Sequence, residues 1–512
     1  MGMMKQKRIT SQAFYNSLIY NNQIMLKGEK GFYSLEKDRE AICEYEKYIE
    51  ENQRYFSRKR GYERINFALR SNCGKYILET YQDRVIVTSL MLGDGNFLFA
   101  KKIANLIIRQ IYQPATPTFS NAAKKRSGKL VSCFLLETED SINSINYIIS
   151  TSMQLSKIGG GVAINLSKLR GRGASIKKID STASGVLPVI KILEDVFDYA
   201  DQLGVRRGSG AAYLSIFHYD LADFIDCKKI NADEKSRIQT LSIGVIVPDK
   251  FFQLARVNSK FFVFEPNTIF RKYGVHLADM DMNEWYDRLA VDEDILKKEL
   301  HARSILTRIA QTQFESGYPY VIFIDNANRG NPLKKLGKIK MSNLCTEIFQ
   351  IQESSTIADY GEKDQIRHDV SCNLASLNLV NLLDSDNLEE TIEISMRALS
   401  AVSDLTDIPN APSIKEGNRK FKSVGLGVLN FTGLLIKHGF QYDSPETLEI
   451  ADILFATINY YSLLASSKIA EEKKKSFEGF ELSDYYTGEY FKKYTEKSFL
   501  PTSEKIKSLF SR

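Results

Sequence analysis

Residues 129–166 read KLVSCFLLETEDSINSINYIISTSMQLSKIGGGVAINL. Residues 129–138 form a short apolar run with polar residues at its ends, the pattern of a buried strand. Asp140 or Ser141 then offers a helix cap, and Ile142, Ile145, Ile149 and Met153 recur at helical spacing as one apolar face. The helix leads into KIGGGVAINL (157–166), where three glycines precede a second strand. Strand, helix and strand in succession predict an α/β fold.

The same alternation extends on the C-terminal side. A helix is expected from about Pro188, a favourable first-turn residue, and it ends at QLGVRRGSGAA (202–212). Strands are expected at 241–247 (LSIGVIV), 320–325 (YVIFID) and 371–380 (SCNLASLNLV). Helices are expected at 386–404 and at 446–471, the latter opened by Ser444 and Pro445. On the N-terminal side the texture differs. Residues 1–110 are rich in charge and helical in pattern, as in DREAICEYEKYIEENQRYF (38–56). QPATPTFSNA (113–122) marks the change. The division expected is a helical domain over 1–110 and one continuous α/β domain over 111–512. Neither an internal repeat nor a low-complexity tract is evident.

Composition excludes several classes. The chain has 512 residues, 43% hydrophobic and 26% charged, enough for a large core. Its net charge of +6 is small, and basic residues are scattered among 63 acids, so no nucleic-acid partner is expected. No apolar run of spanning length is evident, and MGMMKQKRIT lacks a signal peptide's apolar core, so a cytoplasmic protein without a membrane partner is expected. Six cysteines without a CxxC make neither a disulfide framework nor a zinc knuckle. Five histidines without HxH or HxxxH argue against a His-based metal site, and no metal site is expected.

SNLCTEI (342–348) spaces an amide, a thiol and a carboxylate two residues apart. In an extended segment Asn343, Cys345 and Glu347 share one face, with Leu344, Thr346 and Ile348 on the other. That row suits a base-activated thiol nucleophile, although no histidine lies close in sequence and only a spatial neighbour such as His368 could serve. It equally suits radical chemistry at a carbon bearing a hydroxyl, with the thiol exchanging a hydrogen atom and the carboxylate taking the hydroxyl proton. A third reading is a buried core cysteine. Cys133 in LVSCFLL and Cys372 in DVSCNLASLNL sit in strand-like runs; converging across a barrel, they could cycle between dithiol and disulfide. Cys43, Cys73 and Cys227 lie in helical or charged contexts and read as structural.

ATPTFSN, LVSCFL, SKIGGGVAINLSKLRGRGA, QLGVRRGSGAAYL, ESGYPYVIF, SNLCTEI and SCNLASLNL, in this order, resemble the large catalytic subunit of class I ribonucleotide reductases, the class Ib type above all. The resemblance implies a ten-stranded α/β barrel of the ribonucleotide reductase and glycyl-radical type, behind a mostly helical N-terminal domain. It implies reduction of ribonucleoside diphosphates by a thiyl radical. Cys345 would be the radical, Glu347 the base for the 3′ hydroxyl, and Asn343 the group holding the substrate hydroxyls. Cys133 and Cys372 would be the redox-active pair. Thr116, Ser132, Cys133, Gly161 and the stretch from Asn343 through Leu344, Cys345 and Thr346 to Glu347 would contact substrate. Asp140, Lys168, Arg170, Gln202 and Arg206 match loops that read a dNTP or ATP effector.

The resemblance also implies partners: a small subunit whose metal site generates the radical, a thioredoxin- or glutaredoxin-like reductant, and a second copy in a homodimer. No cofactor is expected in this chain. The family's last barrel strands, its tyrosine pair and its cysteine-bearing tail have no counterpart here, and no ATP cone is evident; Tyr460-Tyr461 and Tyr485-Tyr486 lie in other contexts. The expectation is therefore an incomplete barrel, the N-terminal part of a split reductase completed by a companion chain. The alternative is an inactive fragment that retains only effector and subunit binding. A cobalamin-dependent relative is a third option, and the N-terminal residues argue against it.

Overall fold

The structure is a computed structural model that describes residues 70–71, 74–75, 81–123, 129–201, 207–385 and 387–510. The amphipathic stretch 38–56, Cys43, Cys73, Gln202 and Arg206 lie outside the described residues.

Two helices lead in, α1 (Tyr81–Gly93) and α2 (Phe97–Ile108), the second capped by the Asn96 side chain on Phe99 N. The chain enters the main sheet at β1 (Tyr112–Pro114), followed by the short α3 (Thr116–Asn121). Residues 129–166 then fold as β2 (Cys133–Glu137), α4 (Ile142–Lys157) and β3 (Gly161–Asn165). After α5 (Leu187–Tyr199) come β4 (Ser209–Ser215) and β5 (Ser242–Val247). A small antiparallel pair, β6 (Lys260–Phe264) and β7 (Lys297–His301), brackets an excursion that contains α6 (Pro266–Tyr273). The sheet resumes with β8 (Tyr320–Phe323), β9 (Val370–Asn378) and β10 (Val424–Leu429), with α7 (Leu388–Leu405) and α8 (Pro412–Phe421) between the last two. The long α9 (Pro445–Lys473) follows.

The main sheet has eight strands in the order β8-β5-β4-β3-β2-β9-β10, with β1 also paired to β9. The first five run parallel. β9 turns the direction: it is antiparallel to β2, with Cys372 opposite Cys133, and parallel to β10. The result is an open, incomplete barrel whose edge strands, β8 and β10, are not paired with each other among the described residues. Both faces of the parallel strands are covered, so they read as near-continuous apolar runs. Along β2, Phe134 and Leu136 face one core with Val162 and Ile164, against the helices. Cys133 and Leu135 face a second, smaller core with Ala163, Ala211 and Tyr213. The period of two assigns every alternate side chain to that inner face.

Two expectations are corrected. The buried face of α4 is Ser144, Ile148, Thr151, Ser152, Leu155 and Ser156, whereas Ile142 is 78% exposed and Ile145, Ile149 and Met153 are half-buried. Small hydroxyl side chains let the helix lie close to the sheet, and Ser156 donates to the Ala200 carbonyl. The apolar periodicity thus marks a flank of the helix, where Ile145 and Ile149 pack against the edge of the core and Ile142 faces outward. In addition, α9 is long and apolar enough to cross a membrane by length and composition, contrary to the expectation of no such run. In the fold it packs Ile450, Leu454, Ile458 and Ala465 into the core and pairs Lys468 with Glu389 and Glu393 of α7.

Candidate active site

Residues 339–351 form a finger. Its two limbs meet in an antiparallel bridge between Ile339 and Ile351. The SNLCTEI motif is its tip, and the tip is a turn rather than an extended row: Thr346 N donates to Asn343 O at 3.2 Å, and Thr346 has φ +66°. The expected sharing of one face by Asn343, Cys345 and Glu347 is therefore overturned locally. The cause is the Asn343 side chain. Its Oδ1 accepts from Glu347 N and Ile348 N, both at 3.0 Å, and this local capping outcompetes an extended course. Ser342 Oγ closes the limbs by donating to Ile348 O at 2.8 Å. Asn343 is fully buried, while Cys345 and Glu347 are exposed at the tip.

The finger lies along the inner face of β2 and β3, running against their direction. At its base Asn165 Nδ2 donates to Lys340 O at 3.4 Å, and Lys340 Nζ meets Glu137 Oε2 at 2.9 Å; Glu137 and Asn165 end their strands. At its tip Asn343 Nδ2 lies 3.7 Å from Cys133 Sγ, and Leu344 covers Gly161; Cys133 and Gly161 begin the same strands. A Cβ on Gly161 would sit 3.0 Å from Leu344 Cδ2, so the absent side chain is what admits the tip. Ile339, Met341 and Ile348 fill the inner core with Leu135, Ala163, Ile246 and Ile322.

Sequence reasoning missed Tyr213. Its hydroxyl donates to Asn343 O at 2.6 Å and lies 3.3 Å from Thr346 Oγ1. Burial raises its pKa, and the nearby Tyr320, Cys345 and Glu347 add to the shift, so it acts as a donor. The signal was its inward register on β4, two residues after Ala211, which needed the strand partners to interpret.

Cys133 and Cys372 are partners across the β2–β9 ladder and are 7% and 3% exposed. Directly opposed residues in an antiparallel pair have Cα atoms about 4.5–5.5 Å apart, within the span a disulfide needs. Both are thiols in the structure. Burial raises the Cys372 pKa, and Cys133 and Glu347 reinforce it. A Cβ on Gly425 of β10 would lie 3.2 Å from Cys372 Sγ. Beside Cys133, Ser132 Oγ is buried without a hydrogen-bond partner. Thr116 starts α3 and is half-buried. Among the described residues no group of three or more His, Cys, Asp or Glu is arranged to hold a metal ion.

The residues matched to the effector loops divide. Arg170 Nε pairs with Asp140 Oδ2 at 2.9 Å, its backbone N–H reaches Oδ1 at 3.2 Å, and Asn267 Nδ2 reaches Oδ2 at 3.3 Å. Lys168 turns away from that pair. Its ammonium is buried against Glu139 at 2.8 Å and Ser354 Oγ at 2.6 Å. Burial opposes ionisation of Glu139, but hydrogen bonding to His276 and the charge of Lys168 hold its carboxyl well below the usual range.

The family model "Ribonucleotide reductase, barrel domain" matches residues 131–511, and "Ribonucleotide reductase, all-alpha domain" matches 52–127. This chain belongs to the ribonucleotide reductase family. Among its relatives, the ribonucleoside-diphosphate reductase subunit alpha of Bacillus subtilis (strain 168) is 48% identical over 445 residues, covering 87% of this chain and 64% of the relative. The corresponding subunit of Mycoplasma genitalium is 43% identical over 450 residues, covering 87% and 62%. The chain thus spans less than two thirds of the length of these curated relatives. The solved alpha subunit of the Actinobacillus ureae class Id ribonucleotide reductase has TM-score 0.60 at 22% identity, covering 84% of this chain and 71% of that one, and shares the reductase fold.

Proposed function

We propose that this chain is the catalytic large-subunit part of a class Ib-type ribonucleoside-diphosphate reductase. The observation that carries the reading is the placement of the finger tip. Asn343 Nδ2 reaches Cys133 Sγ, and Cys133 and Cys372 are ladder partners. A small subunit with a metal site supplies the one-electron oxidation that makes Cys345 a thiyl radical. Cys345 then takes the 3′ hydrogen atom of the ribose, and Glu347 accepts the 3′ hydroxyl proton. The 2′ hydroxyl leaves as water with a proton from Cys133. Oxidation of Cys133 and Cys372 to a disulfide supplies two electrons. Cys345 returns its hydrogen atom to C3′ and is a radical again. The balance is a ribonucleotide and a dithiol giving a deoxyribonucleotide, a disulfide and water.

Burial suits the pair to this role, because it keeps Cys372 protonated until the electrons are needed. Asn343 spends its Oδ1 on the turn, so its Nδ2 hydrogens are what it offers to substrate. Ser132, Thr116 and Gly161 contribute hydroxyl and backbone groups, and Leu344 and Thr346 shape the tip. Asp140 and Arg170, with Gln202 and Arg206, take a dNTP or ATP effector, and Lys168 braces their loop. A thioredoxin- or glutaredoxin-like protein re-reduces the pair in a reducing cytoplasm, and the subunit works as a homodimer. A companion chain bearing the rest of the family's length would close the sheet between β8 and β10.

The test is CDP reduction by this chain with a small subunit, a dithiol and any co-purifying polypeptide. Cys345→Ala should bring turnover to background and leave dTTP binding intact. Persistent turnover would remove the radical assignment. Bound dTTP without turnover in the unsubstituted chain would favour a binding-only fragment.

A further inference from the structure

A cluster of buried charges at the base of the finger joins parts of the molecule far apart in sequence. Glu137 is 3% exposed, and its Oε2 is shared between Lys340 Nζ at 2.9 Å and Lys168 Nζ at 3.5 Å. Lys340 Nζ also meets Asp279 Oδ1 at 2.6 Å, and Lys168 Nζ lies 3.7 Å from Asp279 Oδ2. Glu139 Oε2 faces His276 Nε2 at 3.1 Å. Two ammonium groups and a histidine thus serve three carboxylates; Lys168 and Glu137 are buried, while Glu139, His276 and Asp279 lie partly exposed at the edge of the cluster.

Two of these groups, His276 and Asp279, belong to the segment 265–279, which the reaction scheme does not use. Its N-terminal end lies at the Asp140–Arg170 pair: Asn267 donates to Asp140, and Glu265 Oε1 accepts from Gly171 N at 3.3 Å. The His276 ring stacks on Phe270 of α6, with centroids 4.1 Å apart, so the loop after α6 is fastened to the helix. Its far end carries Asp279, which holds Lys340, three residues before Asn343. Lys340 therefore has one partner on the sheet, Glu137, and one on the segment, Asp279. A shift of the segment changes the share that each takes and moves the root of the turn.

We propose that Asp279 and Lys340 are positioning residues for the Cys345 turn, and that through them the segment 265–279 reports the state of the Asp140–Arg170 site to that turn. The inference rests on the reading of Cys345 as the reacting thiol and of Asp140–Arg170 as an effector site. Coupling of this kind needs a contiguous physical element biased by both sites, and the segment supplies one.

The test uses the full chain and peptide-resolved iodoacetamide labelling of Cys345 between pH 6 and 9, with and without dTTP. The Asp279 side chain is 30% exposed, so Asp279→Asn is expected to fold. Asp279→Asn should change the Cys345 labelling rate by about fivefold and abolish its response to dTTP, the usual scale of coupling between sites. Binding of dTTP itself should be retained, and Asp279→Glu should restore the response. An Asp279→Asn chain that labels and responds like the unsubstituted one would overturn the proposal. If dTTP fails to bind the unsubstituted chain, the effector reading falls; the nucleotide-free rates then decide the positioning role, and equal rates overturn it.

Discussion

At Cys133 and Cys372 the ladder does what a flexible loop could not. It holds two buried thiols opposite each other, within the span a disulfide needs, and burial raises the Cys372 pKa. Three residues before Cys372 sits Asp369, fully buried, accepting from Glu137 N at 3.1 Å. Burial pushes its pKa up to about 7 from 3.8, the nearby Glu137 adds to the rise, and the Ser413 and Glu137 N–H hydrogen bonds and Lys340 oppose it. The folded chain thus keeps this proton to about pH 7, whereas the unfolded chain releases it near pH 4. The folded state binds more protons across that window, so this group's contribution to stability falls as pH rises through it. Asp369→Asn mimics the protonated form. Its melting temperature should match that of the unsubstituted chain near pH 5 and exceed it increasingly towards pH 8. A difference independent of pH would show that Asp369 does not carry the buried proton.

At the scale of the element, the finger depends on few contacts. Tyr213→Phe removes the hydroxyl that serves Asn343 O and Thr346 Oγ1, but keeps the ring, which lies where a side chain on Gly244 would be. Leaving a buried carbonyl unserved costs about 1–3 kcal/mol. Amide exchange at 343–346 should therefore accelerate and the melting temperature should fall. Unchanged exchange would mean that the hydroxyl does not hold the tip. The elements themselves were largely legible. β2, β5, β8 and β9 lie where their apolar runs predicted, and Ser444 caps α9 on Thr447 N. The tip was not legible, because its turn comes from Asn343 folding its own amide onto Glu347 and Ile348, a choice that spacing alone does not reveal. The buried face of α4 was not legible because serine and threonine share it with Ile148 and Leu155, and a count of apolar residues ignores them. The ion cluster draws on residues from Glu137 to Ser354, a set assembled only by the fold.

At the scale of the whole molecule, the main sheet reverses direction once, at the β2–β9 seam, and Cys133 and Cys372 sit on that seam. The finger fills the inner face of the parallel half, which explains why the motif is far in sequence from Cys133 yet adjacent in space. The most direct measurement is a single turnover of CDP without added dithiol, using this chain, its small subunit and any companion. Peptide mapping would follow dCDP formation. One dCDP for each Cys133–Cys372 disulfide is expected, with neither formed in Cys345→Ala. dCDP formed while Cys133 and Cys372 stay reduced, or with the disulfide elsewhere, would contradict the site described here.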